Sequence, residues 1–387
     1  MYLKRFEELE KKGCPIRIGL VGLGAMGKGM AYNIHHTPGM KLVSVGDSDP
    51  KRYDELRKII PDSDHTDEDC MDIAGSTKID MFMEASSSIE MGLKYTKRAI
   101  STGNDVLLMN GEVDCFYGPE LWQMAKDYNV MISSTDGDQY GVLIKLLEEV
   151  ELMRLRPIMI GNIKGFMNRY ANPTNIKHEA DIRNLDYQMC VTYTDGTKLA
   201  IEMAIMANAT GFVPYKDKME GPNMKEVHEV LDYYDFDEIS KQPVVEYIVG
   251  AEPGGGVFIV AECHNDYQRS LLKYYKMGDG PYYVFYRPYH LCHIETAYAV
   301  GRMVFDKEPL LVPWKGRVTN INAVAKKDLE PGDVLDEPGM YTVYGELALQ
   351  SVIDQNSWAL IHEVNGWRVK NPIKKDQPIC LNDIEAP

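Results

Sequence analysis

Lys164 stands at the end of an apolar run and between two glycines, in Pro157-Ile-Met-Ile-Gly161-Asn-Ile-Lys164-Gly165. An ammonium there could bind an anionic substrate group or transfer a proton, although most loop lysines are simply solvated. Asp136 and Asp138 flank one glycine in Ser133-Ser-Thr-Asp136-Gly-Asp138. Such carboxylates can orient hydroxyl groups, move protons or hold a divalent ion; their ordinary reading is turn chemistry. A third group, His290, His293 and Glu295 in Pro288-Tyr-His290-Leu-Cys-His293-Ile-Glu295, has ligand types that suit zinc or manganese if they face one cavity. No helix is assured across that segment, so spacing alone does not make them converge. Packed or capping histidines are the stronger reading; no metal ligand is assigned, and His290 is taken as a substrate contact.

A fourth set of residues is specific to phosphate. The β-branched run Ile16–Val21 leads into Gly22-Leu-Gly24-Ala25-Met26-Gly27 and then a helix-compatible stretch. Gly22 permits a tight turn, Gly24 lets the backbone approach a pyrophosphate, and Gly27 lets helix and strand pack closely. The diphosphate then sits on the N–H groups at the positive end of the helix. A second apolar run, 41–46, ends at Asp47, 25 residues after Gly22, near where an acid is expected to take the ribose hydroxyls. Strand, glycines, helix, second strand and acid in this order point to a nicotinamide-type dinucleotide. Asp47 repels a 2′-phosphate, whereas Lys51 and Arg52 could hold one. A solvated first helical turn is the preferred reading of those two, so NAD is favoured over NADP.

The elements that must position these groups alternate strand and helix. A helix runs from Asp49-Pro50 to Ile60, strands are expected at 78–85, 104–109 and 130–134, and helices at 91–101 and 117–128. This predicts an α/β fold with an N-terminal Rossmann domain, a doubly wound parallel sheet over 1–138, whose ligands bind beyond the carboxyl ends of the strands. Those ends carry Glu84-Ala-Ser86, Asn110-Gly-Glu112 and Asp136-Gly-Asp138. Ser86 and Asn110 therefore join Gly22, Gly24, Ala25, Met26, Gly27 and Asp47 as candidate cofactor contacts. An amphipathic helix at 139–155, with Val142, Leu143, Leu146, Leu147 and Val150 on one face, opens an α+β middle domain, 139–315. There 157–160 is expected as a strand that opens into a loop at Gly161, and 189–202 as a hairpin turning at Asp195-Gly196. Further strands are expected at 256–261 and 282–286. From 316 to 387, short strands joined by Pro, Gly and Asp turns include two similar phrases, DLEPGDVL (328–335) and PIKKDQPI (372–379), the mark of a small β-clip domain.

Composition excludes several partners. A net charge of −16, from 42 basic and 58 acidic residues, argues against nucleic acid or an acidic membrane surface. No apolar run approaches the roughly 20 residues that span a bilayer, and the charged opening MYLKRFEELEKKG lacks the apolar centre of a signal peptide. Seven scattered cysteines, odd in number and without a CxxC, fit a reducing, cytoplasmic compartment. At 387 residues the chain suits two or three domains and is long enough for a substantial core.

The order of motifs also carries a family likeness. After the glycine loop come MNGEVD (109–114), SSTDGDQ (133–139), GNIKGFMN (161–168), NPT (172–174), DGTKLAIEMAIMANATG (195–211), PGGGVF (253–258) and YRPYHLCHIE (286–295). With a terminal unit similar to the SAF domain, this order resembles the homoserine-dehydrogenase-like oxidoreductases that carry a C-terminal SAF domain. They include the 1-deoxy-D-xylulose 5-phosphate reductoisomerase-like enzymes. The resemblance spans nearly the whole chain and implies NAD(P)-dependent hydride transfer on a small polyol, hydroxylated carbonyl or sugar phosphate, in a homo-oligomer. Lys164 would bind or protonate the carbonyl oxygen, Asp136 and Asp138 would orient hydroxyls or hold a divalent metal, and His290 or His293 would close the pocket. Two departures bear on the transfer. Homoserine dehydrogenase has Asn-Lys where this chain has Asn110-Gly111. The reductoisomerase-like pattern Gly-Lys-Gly-Lys-Asn meets Gly161-Asn-Ile-Lys164-Gly here, which keeps the second lysine and has Asn162 for the first. A metal-dependent reductoisomerase, a lyase or epimerase using bound NAD transiently, and a non-catalytic NAD-binding sensor stand as alternatives to a plain dehydrogenase or reductase.

Overall fold

Strands that are apolar on both faces need cover on both sides, and the first third of the chain supplies it by alternating them with helices. In the structure, a computed structural model describing residues 1–183 and 186–387, the chain divides into two units, 1–144 with 290–314 and 145–289 with 315–387. The first contains β1 (Ile16–Val21), β2 (Met40–Gly46), β3 (Thr66–Asp67), β4 (Met81–Glu84), β5 (Asp105–Leu108) and β6 (Ile132–Ser134). All pair in parallel, in the order β3-β2-β1-β4-β5-β6. Between and around them run α1 (Tyr2–Lys11), α2 (Ala25–His36), α3 (Lys51–Ile59), α4 (Cys70–Ala74), α5 (Ile89–Thr102) and α6 (Gly111–Asp127), and α7 (Gln139–Leu152) begins in this unit and ends in the second. Every residue of β4 is buried, and Phe82, Val106 and Ile132 pack with Ile73, Ile100 and Leu121 from the flanking helices in one core.

Register then decides where the chemistry falls. Val21 pairs with Gly46 on one side and Glu84 on the other, Glu84 pairs with Leu108, and Leu108 with Ser134. The strand tips thus form one row, and the residues that follow each tip lie along one sheet edge. The order reverses between β1 and β4, which is the switch point where doubly wound sheets bind ligands.

The second unit is built on a mixed sheet. Its strands are β7 (Arg156–Lys164), β8 (Val213–Pro214), β9 (Val244–Val249), β10 (Val257–Glu262) and β11 (Tyr282–Arg287), in the order β11-β10-β7-β9-β8. β10 runs antiparallel to β7 and β11, and β9 parallel to β7. Two expectations are corrected here. The strand expected at 157–160 does not open into a loop at Gly161 but continues to Lys164. The segment 189–202 is not a hairpin: α8 (Tyr187–Asp195) and α9 (Thr197–Thr210) are helices that meet at Gly196, whose φ is +95°. The Asp-Gly pair does make a turn that needs positive φ, but between helices. All of α9 from Thr197 to Ala209 is buried, so it carries no polar face to reveal a helical period.

In the C-terminal part of this unit, β12 (Thr319–Ala325) pairs antiparallel with β13 (Val343–Leu349). The two similar phrases face each other. The Leu329 N–H donates to the Ile373 carbonyl at 2.9 Å, and the Ile373 N–H returns to the Leu329 carbonyl at 3.0 Å.

Candidate functional site

The glycine loop after β1 shows which glycines the fold needs and which it leaves for a ligand. Gly22 has φ +90°, and a Cβ there would lie 2.4 Å from the backbone of Ala85 and Ser86. A Cβ on Gly27 would come within 1.7 Å of the Gly22 carbonyl oxygen. Both are glycine because protein atoms leave no room. Gly24 is different. It caps α2 with an ordinary backbone, φ −64° and ψ −166°, and a Cβ there would meet no protein atom within 4 Å. The space beside Gly24 is open, and the N–H groups of Ala25, Met26 and Gly27 in the first turn have no acceptor within the helix. The loop fits a diphosphate.

Asp47, at the tip of β2, accepts the Leu23 N–H at 2.6 Å on Oδ2 and the Asp49 N–H at 2.8 Å on Oδ1. It thereby ties the glycine loop to β2 and still has lone pairs for ribose hydroxyls. An open hollow of about 430 Å³ beside it is lined by Asp47, Ser48, Tyr53, Asp67, Glu68 and Asp69 among others. Arg52 is turned to Glu55, at 3.0 Å, and to Asp49, at 3.8 Å.

At the tips of β4 and β5 the polar side chains hold one another. Glu84 is fully buried, and burial pushes its carboxyl up to about 7. The Ser86 N–H donates to Glu84 Oε1 at 2.9 Å, and the Ser86 hydroxyl donates to the same oxygen. Asn110 caps α6 by accepting the Val113 N–H at 3.2 Å, and its Nδ2 donates to the Ser86 carbonyl at 2.9 Å. Their side chains thus hold the loop at this sheet edge.

At the tip of β6, Asp136 and Asp138 are both buried. Asp136 Oδ1 accepts the Ala299 N–H at 3.3 Å, which ties the loop to the short helix Ala297–Gly301. Asp138 Oδ1 accepts the Gln139 N–H at 2.8 Å and faces Cys292 Sγ at 3.6 Å. His290 Nδ1 lies 3.1 Å from Cys292 Sγ, and its Nε2 lies 3.3 Å from Gln139 Nε2. A Cβ on Gly137 would come within 2.9 Å of Cys292 Cα and 2.7 Å of the Glu295 carbonyl oxygen. That glycine is what lets the two loops meet. Of the sequence trio His290, His293 and Glu295, only His290 joins this group. His293 is exposed with its backbone laid over Gly29 of α2, and Glu295 Oε2 accepts the Leu291 N–H at 2.9 Å.

In the second unit, Lys164 ends β7 with its Nζ 3.8 Å from Glu202 Oε2 on α9, and Asn162 Nδ2 donates to the same oxygen at 2.9 Å. Glu202 is 2 % exposed and Asn162 fully buried. Glu202 and Cys292 are the residues that the sequence reading missed. A lone acid within the apolar run of α9 was a usable signal, since an acid is rarely buried unless paired. Farther along, Asp195 and Lys326 form a buried ion pair at 2.8 Å. Lys326 also donates to the Ala171 carbonyl at 2.8 Å and the Met340 carbonyl at 3.1 Å. Burial raises the Asp195 carboxyl and the ammonium opposes that rise.

The strand order, the glycine loop and the acid after β2 define a dinucleotide-binding unit. Residues 137–296 match the family described as the catalytic domain of oxidoreductase DRL, and residues 323–385 match the SAF domain. The dinucleotide-binding unit and the oxidoreductase match together make the chain an oxidoreductase that uses a nicotinamide cofactor. No curated protein matches it. Among solved structures it is similar to scyllo-inositol dehydrogenase from Lactobacillus casei, determined with NAD(H) and scyllo-inositol bound. The identity is 15 % and the TM-score 0.47, over 78 % of this chain and 93 % of that one. It is also similar to a probable dehydrogenase from Thermotoga maritima, with 12 % identity and a TM-score of 0.45 over 78 % of this chain and 92 % of that one. Likenesses at this level carry no argument about substrate or site. Among the described residues, no helix is long and apolar enough to cross a membrane.

Proposed function

We propose that the chain transfers hydride between NAD and a small polyol, hydroxylated carbonyl or sugar phosphate. The observation that carries this reading is the Lys164–Glu202–Asn162 group at the end of β7, an ammonium set against a buried carboxylate. The nicotinamide, when bound, supplies or accepts the hydride. Gly24, Ala25, Met26 and Gly27 hold the diphosphate through backbone N–H groups, Asp47 takes the ribose hydroxyls, and Ser86 and Asn110 shape the edge beside them. Lys164 gives a proton to the substrate oxygen as charge develops on it, which stabilises the alkoxide. Glu202 holds the ammonium in place, and Asn162 holds Glu202. Asp136, Asp138 and His290 orient substrate hydroxyls.

The acid-lined hollow beside Asp47, with Arg52 tied to Glu55, supports NAD over NADP, because a 2′-phosphate there would face carboxylates. The likeness to homoserine-dehydrogenase-like and reductoisomerase-like enzymes, the division at 138 and 315, the cytoplasmic setting and the homo-oligomer belong to the same proposal. Tyr267, Tyr274 and Tyr275, each more than 70 % exposed around the helix Asp266–Tyr274, support an assembly surface. A reductoisomerase reading is favoured by the two carboxylates buried at the tip of β6 and requires a divalent metal for turnover.

The test is binding of NADH and NADPH followed by an absorbance screen at the nicotinamide band. Substrates are free and phosphorylated polyols, hydroxy-aldehydes and homoserine, with and without Mg²⁺ or Mn²⁺. Lys164→Ala is expected to keep cofactor affinity and lose about 10²- to 10⁴-fold in kcat. Retained turnover removes Lys164 from the mechanism, and cofactor binding without turnover on any substrate sinks the hydride-transfer reading.

A further inference from the structure

We propose that Asp138, His290 and Cys292 form a zinc-type metal site with one open coordination position. This goes beyond hydride transfer and does not rest on it; with the ion bound, Asp138 and His290 would meet substrate hydroxyls through the metal rather than directly. The three donor atoms, a carboxylate oxygen, an imidazole nitrogen and a thiol sulfur, lie within 4.8 Å of one another. Zinc bonds of about 2.3 Å to sulfur and about 2.0–2.1 Å to nitrogen or oxygen place tetrahedral ligands about 3.5 Å apart. The Sγ···Nδ1 and Sγ···Oδ1 separations are 3.1 and 3.6 Å, on either side of that value. Small adjustments of side chains already in place would admit the ion.

Three further observations support it. Gln139 lies against the far ring nitrogen of His290, 3.3 Å from Nε2. That contact fixes the orientation of the ring, as a second partner ordinarily does for metal-bound histidines. The loop contact is set by the backbone, since only glycine at 137 lets Cys292 come down on Asp138. Tyr140, two residues after Asp138, is fully buried, and its hydroxyl has no hydrogen-bond partner among the described residues.

The donor set chooses the ion. Thiolate and imidazole are soft and borderline ligands that favour zinc or cobalt over magnesium or calcium, which take oxygen ligands throughout. Binding releases the Cys292 proton to solvent, and the two ligand charges then balance the dication. Three protein ligands leave a fourth position for water or a substrate oxygen, the arrangement of catalytic rather than structural zinc.

The experiment titrates the metal-stripped full-length chain with Co²⁺ and follows the near-ultraviolet thiolate-to-cobalt band. We expect one Co²⁺ per chain, a band lost in Cys292→Ser and kept in Cys14→Ser, which removes an exposed thiol elsewhere. His290→Ala should weaken zinc binding roughly 100-fold or more. A second measurement needs no variant: one equivalent of zinc should protect Cys292 of the wild-type chain from alkylation, read by peptide mass. No thiolate band in the wild type, a band that survives in Cys292→Ser, or alkylation of Cys292 at the same rate with zinc present overturns the site. None of these readouts uses turnover, so they stand or fall separately from the hydride-transfer reading.

Discussion

Replacing Gly24 by alanine and, separately, Gly27 by alanine distinguishes a glycine kept for a ligand from one kept for the fold. A Cβ on Gly24 meets no protein atom within 4 Å, and its φ of −64° suits alanine. Loss of a glycine cap costs a few tenths to about 1 kcal/mol, and lower unfolded-state entropy returns about 0.4–1 kcal/mol. The two nearly cancel, so the melting temperature should move by less than about 2 °C. Cofactor binding should suffer, because the methyl stands where the diphosphate approaches. Losing one charge-assisted hydrogen bond of about 1.5–3 kcal/mol raises Kd about 10- to 150-fold. Gly27→Ala is the opposite case. Its Cβ would fall 1.7 Å from the Gly22 carbonyl oxygen, so the helix or the loop must shift. A cost of about 3 kcal/mol or more lowers Tm by about 6–12 °C in a unit of this size. Differential scanning fluorimetry reads the first quantity and NADH fluorescence titration the second. The reasoning is refuted if Gly24→Ala binds NADH within threefold of wild type, or if Gly27→Ala melts with it.

Three further outcomes are expected. Glu202→Gln keeps the Asn162 contact and removes the charge that holds Lys164; kcat should fall about 10-fold or more with NADH affinity unchanged, and an unchanged kcat would free Glu202 from the positioning role. Lys326→Met leaves Asp195 as an uncompensated buried charge, which should cost about 3–5 kcal/mol by chemical denaturation; a loss below 1 kcal/mol contradicts it. Glu84 titrates near 7 in the fold against an ordinary 4.5. The folded state therefore binds the proton more tightly, and stability falls as pH rises from about 4.5 to about 7, by about 3 kcal/mol in all. Glu84→Gln, which does not ionise, should be more stable than wild type at pH 8 and lose that advantage near pH 4.5. Melting curves of the two proteins that run parallel across this range would show that Glu84 is not held neutral.

What could be read from the sequence was what a few neighbouring residues decide. The glycine loop is such a case: a positive φ at Gly22 and close packing at Gly27 are met or missed within one turn of chain. The parallel strands are another, because burial on both faces writes a continuous apolar run such as Met81–Glu84. The Asp195-Gly196 turn was legible for the same reason, and its flanks were not. Val191, Thr192, Thr194, Thr197 and Ile201 are β-branched and imitate strands, while α9 is buried on every side and shows no helical period. The chemical groups were harder, because their partners come from far along the chain. Glu202 meets Asn162 across 40 residues, and Cys292 meets Asp138 across 154. His290, His293 and Glu295 show the converse. They are close in sequence, yet the turn closed by the Leu291–Glu295 hydrogen bond leaves only His290 with Asp138. Spacing told which residues were near one another in the chain; the glycine at 137, which admits a second loop, determined which of them could act together.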